Sequence, residues 1–202
     1  NFRRYGHLST GNYNPRTARL YTDVSHLTAD PDLTLDMEHV FVHLASQSRL
    51  PKLKQVWLAP FDLHRKLLAK INGLGEAAAA GQSARIVAKM NALTDEALIR
   101  ALIAAGQRGV KIDLIVRGAC MLPPGVPGLT DNVRVRSVIG RFLEHSRVFY
   151  FRLGQTDELY LSSADWMNRN MLRRVELAWP VNDKLQRQRI VDECLVAYLH
   201  DG

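Results

Sequence analysis

Residues 8–17 read Leu-Ser-Thr-Gly-Asn-Tyr-Asn-Pro-Arg-Thr, and residues 161–170 read Leu-Ser-Ser-Ala-Asp-Trp-Met-Asn-Arg-Asn. The second stretch repeats the first 153 positions later, with identical or chemically similar residues at most places. An acidic residue follows each copy at the same spacing, Asp23 after the first and Glu176 after the second. Because a stretch of Ser, Thr, Asn, Asp and Arg cannot build a hydrophobic core, its recurrence indicates a duplicated polar site.

The two copies differ in the sequence that precedes them. His145-Ser146-Arg147 comes before the second copy, and His145 lies 18 positions ahead of Ser163. The same step back from Thr10 falls before residue 1, so we expect the matching histidine of the first copy to lie outside this sequence. This predicts a fragment of a longer protein, which holds one complete half and the tail of a preceding half.

Length and composition allow one domain, or one domain and part of another, because the chain has 202 residues of which 47% are hydrophobic. Lys and Arg together number 27 against 20 Asp and Glu, and arginine outnumbers lysine. Arginine suits bidentate binding of phosphate, although a basic balance alone only suggests a polyanionic partner. Without a signal peptide or an apolar run of membrane-spanning length, the sequence predicts a cytoplasmic protein with two reduced, buried cysteines, Cys120 and Cys194.

Hydrophobic periodicity predicts an α/β fold in which a mixed sheet is flanked by helices. A polar linker at residues 47–54 indicates a domain boundary, with residues 1–52 as the C-terminal part of a first domain and residues 53–202 as a second. Strands are predicted at residues 3–10, 55–60, 84–90, 111–116, 132–138, 147–151, 158–161 and 175–180. Helices are predicted at residues 33–47, 62–80, 95–107 and 184–199, and the second of them is expected to be kinked or interrupted near Gly73 and Gly75.

The residues around the second copy suit phosphoryl chemistry. His145 and Arg147 are two positions apart, so in a strand they share one face. Ser163 and Asp165 of the following loop can meet them there. An imidazole can act as nucleophile or proton carrier, a cation and polar donors can surround phosphate oxygens, and an acid can fix the imidazole tautomer.

This pattern is similar to that of the phospholipase D superfamily, in which two copies of His-x-Lys, a Gly-Ser-x-Asn-like loop and a later acid converge on one centre. The resemblance implies a phospholipase-D-like mixed sheet. Arg147 stands where that family has lysine, and residues 162–165 only approximate the loop. These two departures weaken the case for an ordinary phosphodiesterase.

Longer motifs resemble the C-terminal region of the type 1, histidine-phosphorylating polyphosphate kinases. The motifs occur in the family's order over nearly the whole chain, at residues 10–14, 17–23, 89–91, 115–118, 124–128, 141–147 and 161–167. The resemblance implies reversible transfer of the terminal phosphate of ATP to polyphosphate through a phosphohistidine, with magnesium as cofactor. It identifies no magnesium ligands in this chain.

The resemblance also implies roles for single residues. It places the nucleophilic histidine upstream of this chain and makes His145 the second, assisting histidine. Tyr21 and Arg117 match positions that hold the nucleotide, and Asp23 and Glu176 would orient the imidazoles. Which acid serves which histidine stays open, and the isolated fragment is expected to be inactive. ATP, ADP and polyphosphate are the implied partners, with no specific nucleic acid, in a homo-oligomeric full-length enzyme with peripheral membrane association.

The repeat also predicts roles for further polar residues. We expect Thr10 and Asn12 to join His145, Arg147, Ser163 and Asp165 in one cleft between the two segments. Arg16 and Arg169 recur together across the repeat, so they either bind phosphate or bridge the two halves.

Three further residues lie near the motifs. Lys89 and Asn91 follow a strand, where they either touch the ligand or belong to the start of the next helix. His7 aligns with Tyr160 rather than with His145, which favours a supporting role.

Two other functional classes stay open. A phospholipase-D-like nuclease or phosphodiesterase would require lysine at position 147 and would not need Tyr21 or Arg117. A non-catalytic polyanion-binding module would explain the arginine excess but not the repeat, and its binding would weaken strongly with salt.

Overall fold

The computed structural model describes residues 2–200. In chain order the elements are β1 (Gly6–Ser9), a 3-10 turn (Thr17–Arg19), β2 (Tyr21–Thr22), β3 (Ser25–Thr28), α1 (Pro31–Ser46), β4 (Trp57–Ala59), α2 (Leu63–Ala79), β5 (Ala84–Met90), α3 (Glu96–Gln107), β6 (Lys111–Val116), β7 (Val133–Arg136), β8 (Leu143–Glu144), β9 (Arg147–Leu153), β10 (Thr156–Ser162), α4 (Asn168–Leu172), β11 (Glu176–Pro180), α5 (Lys184–Val191), a π turn (Asp192–Val196) and α6 (Ala197–His200).

The centre of the fold is a seven-stranded mixed sheet in the order β4-β11-β10-β9-β5-β6-β7. Strands β5, β6 and β7 are parallel, and the remaining neighbours pair in antiparallel fashion. Side chains alternate between the two faces of β5, so Ile86 and Ala88 pack with α2 and α3 on one face. Val87 packs with α1 and the C-terminal helical segment on the other. The α/β prediction of a mixed sheet between helices is confirmed.

Helix α2 runs from Leu63 to Ala79, so the predicted interruption near Gly73 and Gly75 is wrong. A Cβ atom on Gly75 would lie 3.3 Å from the Cα atom of Ala105 in α3. Glycine at this position permits close packing of two helices and does not break α2. A Cβ atom on Gly73 would meet nothing within 4 Å.

The repeat extends through a whole strand–loop–strand–helix unit. Strand β1 pairs with β3 in the register Leu8↔His26, and β10 pairs with β11 in the register Leu161↔Trp179, 153 positions later. Helix α1 begins after Asp30, whose carboxylate accepts from the backbone N–H of Leu33. Helix α5 begins after Asp183, whose carboxylate accepts from the N–H of Gln186, at the same offset.

The two units differ at one sheet edge. The second edge of β10 pairs with β9, the strand that begins at Arg147. Among residues 2–200, β1 pairs only with β3. The second unit is therefore part of the large sheet, whereas the first lies beside it as a separate two-stranded sheet.

Candidate active site

The two units meet where the short strands β2 and β8 pair in parallel, with the register Thr22↔Glu144. The backbone N–H of His145 donates to the carbonyl of Thr22 at 3.1 Å. This pairing brings the residue after each short strand, Asp23 from the first unit and His145 from the second, to the same place.

His145 is buried, with 8% of its surface exposed, and its Nδ1 atom lies 3.0 Å from both carboxylate oxygens of Asp23. Nη1 of Arg147 also lies 3.3 Å from Nδ1, but the carboxylate is the acceptor that requires a proton on this nitrogen. The Tyr21 ring packs against the imidazole, with ring centroids 4.5 Å apart. With Nδ1 occupied by Asp23, Nε2 is the nitrogen left for reaction.

Each half fixes its acid by the same set of hydrogen bonds. The Thr10 hydroxyl donates to Asp23 Oδ1 at 2.7 Å and accepts from the backbone N–H of Val24 at 3.0 Å. The Ser163 hydroxyl donates to Glu176 Oε2 at 2.5 Å and accepts from the N–H of Leu177 at 3.0 Å. The duplicated sequence is therefore a duplicated hydrogen-bond network.

Arg147 joins the two halves from a buried position. Its Nε and Nη2 atoms donate to Asp165 at 3.1 and 2.9 Å, and its Nη1 donates to the carbonyl of Thr10 at 2.8 Å. Only the fork geometry of arginine makes all three bonds at once. Arg147 thus holds the loop of the first unit against the loop of the second.

Asp165 is surrounded by donors. Asn91 donates to it from the backbone N–H at 2.7 Å and from Nδ2 at 3.2 Å. Burial alone would raise the pKa of Asp165, but the hydrogen bonds and charge of Arg147, together with the two donors of Asn91, lower it below its usual value. The carboxylate is therefore ionised at neutral pH.

Asn91 also connects the site to the end of β6. Its Oδ1 atom accepts from Arg117 Nε at 2.9 Å. Arg117 follows the last residue of β6, at the carboxyl end of a parallel strand, where ligands of open α/β sheets gather. Asn91 thus orients Arg117 and does not begin the next helix, whose N-cap is Asp95.

The remaining predicted residues lie outside this cluster. Asn12, Ser163 and Glu176 line an adjacent cavity of about 330 Å³. Arg16 and Arg169 are exposed, and within the described part of the chain neither side chain makes a hydrogen bond or ion pair. They do not bridge the two halves.

Sequence reasoning missed two residues next to the predicted ones. Asn170 donates from Nδ2 to Glu176 Oε1 at 2.8 Å, and its own Oδ1 is buried without a partner. Glu144 accepts from Lys89 Nζ at 2.8 Å directly before His145. The sequence offered one signal for each residue. Asn170 lies inside the repeat, and Glu144 directly precedes the histidine motif.

The three carboxylates of the site have protein partners. The carboxylates of Asp23, Asp165 and Glu176 already accept hydrogen bonds from protein donors. Among residues 2–200 no group of three or more His, Cys, Asp and Glu residues is arranged to hold a metal ion, and no helix is long and apolar enough to cross a membrane. Cys120 and Cys194 are free thiols, half-buried where the sequence predicted buried ones.

Two protein-family models match the chain, "Polyphosphate kinase C-terminal domain 1" at residues 1–50 and "Polyphosphate kinase C-terminal domain 2" at residues 56–202. Polyphosphate kinase of Paraburkholderia phytofirmans is 54% identical over 200 residues, 99% of this chain and 29% of that protein. The Burkholderia cenocepacia protein of the same name is 52% identical over the same shares. The crystal structure of polyphosphate kinase from Porphyromonas gingivalis has a TM-score of 0.90 and 37% identity, over 94% of this chain and 29% of that one. The chain thus spans less than a third of these relatives.

Proposed function

Because this chain belongs to the polyphosphate kinase family, we propose that it contributes the second histidine and the two orienting acids to an enzyme that transfers the terminal phosphate of ATP to polyphosphate. The observation that supports this most strongly is the buried contact between His145 and Asp23, made between the two copies of the repeat. Arg147 and Asp165 hold the loops on either side.

His145 acts as the assisting histidine. Its Nδ1 proton is held by Asp23, and Nε2 is free to give a proton to, or accept one from, a phosphate oxygen as the phosphoryl group moves. The carboxylate also stabilises the imidazolium that forms when Nε2 takes up a proton. The Asp23–His145 pair can thus take up a proton at Nε2 in one direction of transfer and return it in the other.

The repeat assigns the acids in a crossed manner. Asp23 of the first copy orients His145 of the second copy. By the same relation, Glu176 of the second copy orients the nucleophilic histidine of the first copy, which lies outside this chain. Ser163 and Asn170 hold Glu176 at the edge of a cavity of about 330 Å³ that receives this imidazole.

The nucleotide lies between Tyr21 and Arg117. Arg117 is held by Asn91, which also contacts Asp165 and the carbonyl of His145, so a phosphate on Arg117 is placed near the reacting imidazole. The Tyr21 ring, now against His145, offers a face for adenine. Magnesium, when present, neutralises charge on the ATP phosphates.

The experiment compares two histidine variants in the complete enzyme. His145→Gln should lower the rate of polyphosphate synthesis from ATP by about 10² to 10⁴, the usual contribution of acid–base assistance. His64→Gln is the control, because His64 makes a contact of the same length, 3.0 Å, with Asp95 outside the cluster. The proposal fails if His145→Gln synthesises polyphosphate at the unaltered rate.

A further inference from the structure

We propose that Lys89, Glu144 and Tyr198 form a positioning network, centred on the buried Lys89 ammonium, that holds His145 in register with Asp23, so that the C-terminal helix is needed for an intact site. The inference rests on the proposed function, because it concerns the same histidine. None of the three side chains is assigned a part in phosphate transfer.

Lys89 holds the residues on both sides of His145. It lies in the sheet on β5, is 3% exposed, and is a charged residue in a strand whose other buried side chains are apolar. Its Nζ atom lies 2.8 Å from Glu144 Oε2 and 2.8 Å from Ser146 Oγ. A buried ammonium group must be paired, and both of these partners adjoin the histidine in sequence.

Glu144 extends the network to the residue before Asp23. Glu144 pairs with Thr22, the residue before Asp23, in the short parallel ladder of β2 and β8, and its carboxylate accepts from Lys89. Burial would raise the pKa of Glu144, but the hydrogen bond and charge of Lys89, with the nearby hydroxyls of Tyr198 and Thr22, lower it below its usual value. The bond from Lys89 to Glu144 therefore holds the short ladder that Asp23 and His145 directly follow.

Tyr198 covers the network from α6. The Lys89 ammonium lies 4.4 Å from the centre of the Tyr198 ring, a cation–π contact. The π turn at Asp192–Val196 comes directly before α6, whereas the equivalent helix α1 is regular. Such turns change the phase of a helix and are frequent at functional sites. The counterpart of Tyr198 in the repeat is Ala45, so only the second half has this cover.

Stability alone does not account for this arrangement. Replacing a buried ion pair by apolar side chains of similar volume is often neutral or stabilising. What apolar residues cannot supply is a directional bond to each neighbour of His145. We therefore assign the network to the position of the imidazole.

The protein contains a matched set of residues elsewhere on the sheet. Lys70 Nζ lies 2.9 Å from both oxygens of Glu158, and the Tyr160 hydroxyl donates to the same carboxylate at 2.9 Å. Glu158 pairs with Phe151 in the β9–β10 hairpin, away from the end of β9 that adjoins His145. Variants of Lys70 and Tyr160 therefore show what is lost when a lysine–glutamate–tyrosine cluster is disrupted at a distance from His145.

The test uses the complete enzyme and the variants Lys89→Met, Tyr198→Phe, Lys70→Met and Tyr160→Phe. We measure kcat, KM for ATP, melting temperature, and hydrogen–deuterium exchange of the backbone amides of residues 143–147. Lys89→Met should lower kcat about 10- to 100-fold, because small displacements of a reacting group have effects of this size, while KM changes by less than about threefold. Amide exchange at residues 143–147 should become about tenfold faster or more, since fewer bonds hold that segment.

Tyr198→Phe should change both quantities in the same direction by less, because the ring remains over Lys89. The two control variants should leave kcat and exchange at residues 143–147 unchanged, even where they lower the melting temperature. The proposal is overturned if exchange at residues 143–147 is unaltered in Lys89→Met, or if Lys70→Met accelerates it equally.

If Lys89→Met does not fold, the isosteric Glu144→Gln and the milder Tyr198→Phe decide by the same two readouts. An unaltered enzyme that makes no polyphosphate would overturn the proposed function. The exchange measurement would then still decide the positioning network.

Discussion

Both carboxylate oxygens of Asp23 lie 3.0 Å from Nδ1 of His145, although 122 positions separate the two residues. The acid belongs to the first copy of the repeat and the histidine to the second. The histidine and the acid that orients it therefore come from different halves of the repeat.

Asp23→Asn should lower kcat for polyphosphate synthesis by about 10² or more. An amide can present an NH₂ group to Nδ1 and favour the wrong tautomer, and it cannot stabilise an imidazolium. The measurement is steady-state kinetics in the complete enzyme. Asp113→Asn, which affects a carboxylate paired with Arg85 at 2.9 Å, is the control and should be nearly silent. Equal rates in Asp23→Asn and the unaltered enzyme would remove the orienting role.

Glu176→Gln should slow phosphorylation of the upstream histidine by ATP, since the crossed arrangement assigns Glu176 to that imidazole. We expect a smaller loss than in His145→Gln, because Glu176 acts only through orientation. Rapid-quench measurement of acid-labile phosphate on the protein checks this. Normal phosphorylation with slow transfer to polyphosphate would contradict the crossed assignment.

Gly11→Ala should disturb Asp23, even though the second copy has alanine at the equivalent place, Ala164. A Cβ atom on Gly11 would lie 2.1 Å from Asp23 Oδ2, so the carboxylate must move away from His145. We expect kcat to fall about tenfold or more. Gly73→Ala is the control, because its Cβ meets nothing within 4 Å; it should stabilise α2 by about 0.5–1 kcal/mol. A fully active Gly11→Ala would show that the contact is not needed.

Asp165→Asn should lower the free energy of unfolding of the 202-residue chain by about 3–5 kcal/mol at pH 7, because it leaves buried Arg147 without its ionic partner. The pKa of Asp165 is lowered in the folded state, so its contribution is complete above the pKa of the unfolded chain. That contribution is lost as the pH falls from the unfolded pKa, about 3.9, through the folded one. Urea unfolding at pH 7 and pH 3 should therefore show a smaller difference between the two proteins at pH 3. A difference independent of pH would contradict the prediction.

Residues 1–202 alone should not form phosphohistidine from ATP and magnesium. The histidine assigned as nucleophile lies outside this chain, and a catalytic unit that lacks its nucleophile retains almost no activity. The check is incubation with radiolabelled ATP and a search for acid-labile, alkali-stable label. Label on His145 or His7 would show that the nucleophile has been assigned to the wrong half of the repeat.

Much of this protein follows from local sequence. The repeated residues predicted a duplicated polar site, and the spacing of His145, Arg147, Ser163 and Asp165 indicated phosphoryl chemistry. Long periodic segments such as Glu96–Gln107 and Lys111–Val116 have the predicted type and nearly the predicted bounds. These features depend on neighbours within a few residues, which the sequence displays directly.

Tertiary structure alone decided which residues meet. Strands β2 and β8 are two residues long, too short for any periodicity, yet their pairing joins Asp23 to His145. The sequence predicts that Lys89 either touches the ligand or belongs to the start of the next helix. In the fold it is buried instead, in contact with Glu144 and Tyr198. Contacts between residues 122 and 137 positions apart, such as that of Arg147 with Thr10, arise from packing of whole units, which local patterns do not encode.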